Sequence, residues 1–225
     1  TPTTEFYTLS LHDALPIFMK SIVRVLLSVL LVMVSGSAAL AQGEYLEAKE
    51  SGGGVGVSRV ASSSGSGFGW SAGFSLHGWL DFGYARIDPE GPGDGDMGYV
   101  SFYPVKQGRF GAKLSAGVSV VSGEYAYPGG PSPDYTSVGV FVMKRIPIPE
   151  TWFAVYRAEI ASVSGSSVST GLGLSGGVSL GTRFHPFIFA IDGSVSKVKD
   201  QDATFGIGAS LVVSFGNLFP PAPER

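Results

Sequence analysis

Downstream of residue 50, apolar and polar residues alternate with a period of two. Over 110–121 the even positions are Phe110, Ala112, Leu114, Ala116, Val118 and Val120, and the odd ones are Gly111, Lys113, Ser115, Gly117, Ser119 and Val121. That spacing places the apolar side chains on one face of an extended strand. Residues 169–180 repeat it, with Leu172, Leu174, Val178 and Leu180 against Ser169, Gly171, Gly173, Ser175, Gly177 and Ser179. So does the last run, where Phe205, Ile207, Ala209, Leu211, Val213 and Phe215 oppose Thr204, Gly206, Gly208, Ser210 and Ser214. Ten runs of this kind predict strands over 53–62, 68–76, 79–87, 97–105, 110–121, 136–146, 152–163, 169–180, 187–197 and 203–215. No sustained 3.6-residue period accompanies them.

Alternation alone fits any half-buried antiparallel strand, so length and the chemistry of the second face decide the environment. A tilted strand needs about 9–11 residues to cross a bilayer, whereas strands of soluble proteins centre on about five or six. These runs have the longer span. Their second face is mostly Gly and Ser, which suits the crowded interior of a small barrel better than a water-exposed sheet.

The connections divide in the same sense. After odd-numbered strands come 63–67, 88–96 (DPEGPGDGD), 122–135 (SGEYAYPGGPSPDY), 164–167 and 198–202; after even-numbered strands come His77-Gly78, 106–109, 147–151 and 181–186. Short turns on the periplasmic side and longer outer loops are the rule in outer-membrane barrels, with an even strand number. The expected outer loops hold Asp88, Glu90, Asp94, Asp96, Glu124, Asp134, Asp200 and Asp202, and the expected inner turns hold Lys106, Arg109, Lys144, Arg145 and Arg183. Trp70, Trp79, Tyr84, Tyr99, Tyr103, Trp152, Tyr156 and Phe187 lie near strand ends, where interfacial girdles form.

These residues resemble the small outer-membrane β-barrel proteins of Gram-negative bacteria, the class that includes OmpA-like and opacity-type barrels. The resemblance is architectural and rests on no member-specific motif. The expectation is an all-β antiparallel transmembrane β-barrel of about ten strands, eight being the alternative, with both termini periplasmic. The resemblance also implies a C-terminal strand ending in an aromatic residue that the barrel-assembly machinery reads, a pattern that Leu211, Val213 and Phe215 fit. A Pro-rich tail over 216–225 follows them.

Upstream, residues 1–18 resemble a conceptual translation of a sequencing adapter, which sets the true start at Met19. From there Lys20 and Arg24, the apolar run Val25–Val34 and Ala39-Leu40-Ala41 have the three parts of a secretory signal peptide over 19–41. The barrel domain is expected over 42–215.

Composition agrees with this reading and excludes others. The chain has 33 glycines among 225 residues and only 15% charged side chains, against about 7% glycine and about a quarter charged in ordinary soluble domains. With no cysteine there is no disulfide framework, thiolate metal site or cysteine nucleophile. A net charge of −3 offers no basic footprint for nucleic acid.

Candidate chemistry is sparse. Asp81, Lys113, Arg157, Glu159 and Asp192 fall on expected inward faces, where charges must pair or be hydrated. Two readings stay open: a salt-bridged plug that closes the lumen, or a narrow polar pore. His77 and His185 occupy expected turns, and the order Ser75-Leu76-His77, with Asp81 beyond the turn, does not match the His-x-Ser arrangement of lipid-deacylating barrels. The stretch GPGDGDMG over 91–98 lacks the third ligand and closing Glu of a calcium loop. GxG strings such as Gly54-Val55-Gly56 precede no helix, so they read as strand glycines.

The expectation is therefore a non-enzymatic outer-membrane barrel with a structural or surface-interaction role, monomeric, without cofactor or metal. Its expected partners are outer-membrane lipid, lipopolysaccharide and the assembly machinery. A narrow porin-like channel is the alternative, ahead of a lipid-modifying enzyme or a secreted β-sandwich.

Overall fold

The computed structural model describes residues 42–63, 65–90, 93–126, 132–149, 151–166, 168–199 and 202–216. The adapter-like stretch, the expected signal peptide, Asp200 and all of the tail beyond Gly216 lie outside these residues. A short 3₁₀ turn, Gln42–Tyr45, precedes ten strands: β1 (Ser51–Ser62), β2 (Gly65–Leu76), β3 (Leu80–Pro89), β4 (Asp94–Val105), β5 (Ser115–Ala126), β6 (Asp134–Pro147), β7 (Trp152–Gly165), β8 (Val168–Phe184), β9 (Phe187–Val198) and β10 (Thr204–Gly216). Each pairs antiparallel with its neighbour in sequence, and β1 pairs with β10 from Ser51↔Gly216 to Ala61↔Phe205. The sheet therefore closes and leaves no edge, which is what hydrocarbon demands of a spanning sheet. The start of β1 and the end of β10 meet at the end of the barrel that carries the even-numbered connections.

The two-residue period sorts the side chains as expected. Outward rows such as Val138, Val140 and Val142 on β6, Leu172, Leu174, Val178 and Leu180 on β8, and Phe205 and Ile207 on β10 are exposed; Val140 reaches 58%. Most inward positions are buried, whereas Ser58, Ser175, Ser194 and the glycines beside them, on the wall made by β8, β9, β10 and β1, are partly accessible. A continuous apolar exterior on a closed barrel is the surface of a transmembrane barrel, the architecture of the bacterial outer membrane.

Three expectations change. The fifth strand is not 110–121: residues 106–114 form a long connection and β5 begins at Ser115. Gly108, Phe110 and Gly111 have φ of 84°, 51° and 76°, incompatible with a strand, and the chain doubles back through Gly108 N–H to Ala112 O at 2.9 Å and Ala112 N–H to Arg109 O at 2.9 Å. The alternation simply runs on through a turn, leaving Phe110 almost wholly exposed.

Second, the strands continue beyond the expected loops. Arg86 pairs with Asp96 across β3 and β4, and Glu124 with Asp134 across β5 and β6. Asp88, Asp94, Asp96, Glu124 and Asp134 are thus strand-end residues, and among the described members of that group only Glu90 and Asp202 lie in connections. Third, Tyr99 and Tyr103 belong to the inward row of β4 with Met97 and Ser101, and both are buried. β4 carries large residues on both faces, so its own pattern did not fix which face was inside. The other girdle residues, Trp70, Tyr84, Trp152 and Tyr156, are on the exterior, and Trp79 is half-buried in the β2–β3 turn, tilted against Phe102 with ring centroids 6.1 Å apart.

Candidate functional site

The lumen is the only place where the fold gathers charged side chains away from water among the described residues, and it is filled in layers. In the middle, Arg157 and Glu159 sit two apart on β7 and so point the same way. They form an ion pair at 2.6 Å, Ser119 Oγ donates to Glu159 Oε1 at 2.5 Å, and the Arg157 guanidinium lies 4.2 Å from the Phe141 ring centroid. Asp81 accepts a hydrogen bond from the Tyr103 hydroxyl at 2.7 Å, and Asp192 accepts from Ser210 at 3.1 Å and from Tyr45. The structure brings these four of the five expected lumen charges inside. Lys113 is instead exposed in the β4–β5 connection, because β5 starts later than the alternation implies.

Toward the loop end the inward side chains are mostly apolar, with the small polar residues Ser137, Ser196 and Thr204 among them. Val60, Ile87, Met97, Val121, Tyr125, Tyr135, Val163 and Val198 are all buried, Val163 to 0% exposure. Glycines admit the larger rings: a Cβ on Gly123 would lie 2.8 Å from Tyr135, one on Gly117 2.6 Å from Phe141, and one on Gly83 2.6 Å from the Tyr99 hydroxyl.

Toward the turn end the filling comes from the chain itself. Residues 43–46, before β1, are buried in the barrel: Glu44, Tyr45 and Leu46 are each no more than 2% exposed. Tyr45 and Leu46 join Tyr103, Phe141, Met143, Phe153, Val155, Ile188, Ala190 and Val212 in one apolar cluster. Around it stand the basic residues of the turn end. Lys106 Nζ donates to Gly43 O at 2.7 Å and lies 4.4 Å from the Tyr103 ring centroid. Arg183 grips Glu50 with both terminal nitrogens, at 2.7 and 2.8 Å, and Arg145 reaches Glu47 at 3.2 Å. Gln107 is tied to the Arg145 backbone by two bonds of 2.7 Å, fixing the β4–β5 connection to β6.

These surroundings act on the groups that enter. Burial pushes the Glu44 carboxyl up to about 8, with Asp192 and Asp81 adding to the rise and Arg157 opposing it. Burial also lowers Lys106 from the usual lysine value. For Glu50 burial works upward, but the Arg183 hydrogen bonds outweigh it and the net shift is downward.

Sequence reasoning did not find Glu44, Tyr45, Leu46 or Lys106 as lumen residues. The segment Gln42–Glu50 has no alternation and no strand partner, so periodicity assigns it nothing. Its only signal is an aromatic-aliphatic pair between acids, Glu44-Tyr45-Leu46-Glu47, opposite a set of basic turns.

No protein-family model matches the chain, and no curated protein sequence matches it. In structure it is similar to Neisserial surface protein A, at 13% identity over 74% of this chain and 96% of that one, with a TM-score of 0.41. The β domain of the Bordetella autotransporter BrkA has 14% identity over 73% and 99% of the two chains and a TM-score of 0.43. The Yersinia pestis outer membrane protein Ail has 13% identity over 74% and 100%, with a TM-score of 0.37.

At the loop-end rim, Arg86 is surrounded by Asp88 at 3.2 Å, Asp94, and Asp96 at 3.8 Å, and Arg59 meets Glu90 at 2.9 Å. Such exposed, solvent-screened pairs contribute little to stability. The histidines are apart from the lumen charges: Ser75 points inward and is buried, while His77 lies past the end of β2 with its N–H on Ser51 Oγ at 3.0 Å, and His185 is exposed in the β8–β9 turn. Among the described residues no three His, Asp or Glu side chains come together as a metal site.

Proposed function

We propose that the protein is a sealed, non-enzymatic outer-membrane barrel whose role is structural or in surface interaction, presenting its acidic loop-end rim outward and its basic turn end to the periplasm. The observation that supports this reading is the filling of the lumen at three successive levels. A water column through the barrel would leave the side chains lining it accessible. Instead, the apolar loop-end layer, the Arg157–Glu159 layer and the Tyr45–Leu46 layer are each buried.

The porin-like alternative needs a route past Tyr45 and Leu46 as well as past the layer around Val163. The charges that motivated it serve other ends: Arg157 is held by Glu159, and Asp81 and Asp192 are held by tyrosine hydroxyls. In planar bilayers, refolded protein with heat-dependent gel mobility is expected to give no discrete conductance steps. Steady, reproducible openings of the native protein would sink the reading.

A further inference from the structure

Four buried carboxyl groups, Glu44, Asp81, Glu159 and Asp192, face only two buried cations, Arg157 and Lys106. Arg157 is committed to Glu159 and Lys106 to the Gly43 carbonyl. Among the described residues no Lys or Arg nitrogen is within ion-pair distance of the other three carboxyls. Burial raises the Glu44 carboxyl to about 8, which favours its neutral form, and Asp192 accepts from Tyr45 and Ser210. Asp81 is different: it is almost fully buried, its Oδ2 accepts from Tyr103, and its Oδ1 has no partner among the described residues. A buried carboxylate oxygen left in that state is costly, so a donor, ideally a cation, belongs beside it.

The backbone in contact with Asp81 is that of Gly43, placed so closely that a Cβ there would fall within the carboxylate. The residue before it is Gln42, the first residue after the expected cleavage site. We propose that the lumen holds a built site for the α-ammonium group of a chain that begins at Gln42, with the Asp81 carboxylate as its counter-ion, so that leader removal completes the interior. The covalent step is hydrolysis of the Ala41–Gln42 peptide bond by an envelope peptidase. One water is consumed, Ala41 leaves with a carboxylate, and Gln42 keeps the amine, which takes up a proton.

The test is amine labelling of the mature protein in detergent by reductive methylation, with intact mass and N-terminal sequencing to locate the start. The expected chain begins at Gln42 with a free amine, which is methylated at least tenfold more slowly in the folded than in the denatured protein. In the folded protein labelling should also require a pH at least one unit above the ordinary α-amine range of about 7.7–8.0. Asp81→Asn should raise the labelling rate of the folded protein most of the way to that of the denatured protein and remove that displacement. A different start, cyclisation of Gln42 with loss of ammonia, or equal labelling rates in folded and denatured protein would each overturn the proposal. So would an unchanged profile in a folded Asp81→Asn. Should that variant fail to fold, the pH profile of the wild-type protein alone decides.

Discussion

Arg183, near the end of β8, and Glu50, one residue before β1, form a two-pronged bridge, Nη1 to Oε1 at 2.7 Å and Nη2 to Oε2 at 2.8 Å. The pair joins the residue just before β1 to β8, three strands away round the barrel. Planar bidentate geometry makes such pairs stronger than single contacts, although both side chains here are about one-fifth exposed. Arg183→Gln is expected to lower stability by about 1–2 kcal/mol, read as a fall in the denaturant midpoint in detergent, with the loss shrinking in high salt.

The same pair sets an acid limit. Glu50 is held below the ordinary glutamate value, so its contribution is present above that value and is lost as pH falls through the folded one. Unfolding midpoints measured from pH 6 down to pH 3 should decline, and Glu50→Gln should be less stable at pH 6 with a shallower decline.

The Arg157–Glu159 pair has a larger expected effect because both members are buried. Arg157→Met leaves Glu159 with only Ser119 as its partner and should cost about 3–5 kcal/mol. The double variant Arg157→Met with Glu159→Leu should recover most of that loss, since an apolar pair removes the unpaired charge. A double variant as unstable as the single one would mean that the layer is held by packing around Phe141 and not by charge.

Two substitutions separate lipid-facing from turn positions. Val140 is outward at the middle of β6, and Val140→Arg should cost about 2–4 kcal/mol in lipid. Lys113→Glu, in an exposed turn, should shift stability by no more than about 0.5 kcal/mol and leave the barrel electrically silent. Equal effects at the two sites would contradict the assignment of faces.

Much of the fold was legible because a barrel wall has one rule, alternation, and nine of the ten strands obey it between clear turn signals. The exception is instructive. Phe110, Ala112 and Leu114 keep the period through a segment that Gly108 and Gly111 bend, and the inherited error put Lys113 in the lumen. Tyr99 was misread for a related reason: with Val100 and Phe102 on one face of β4 and Tyr99 and Tyr103 on the other, only closure of the sheet decides which is inside. The excess of glycine also takes on a specific meaning. Gly83, Gly117 and Gly123 are seats for Tyr99, Phe141 and Tyr135, so small and large inward residues are complementary across neighbouring strands. The N-terminal plug was not legible, because Tyr45 and Leu46 are buried by long-range closure of the barrel around them and not by any local period.

The proposed sealed barrel requires a lumen closed at both ends. The absence of native cysteine makes a direct test clean. Single cysteines at Val163, in the loop-end layer, and at Phe153, beside Tyr45 in the turn-end layer, should resist a small water-soluble thiol reagent in the folded protein in vesicles and react fully once it is unfolded. Reaction of both in the folded state at the rate of an exposed rim cysteine would contradict the account.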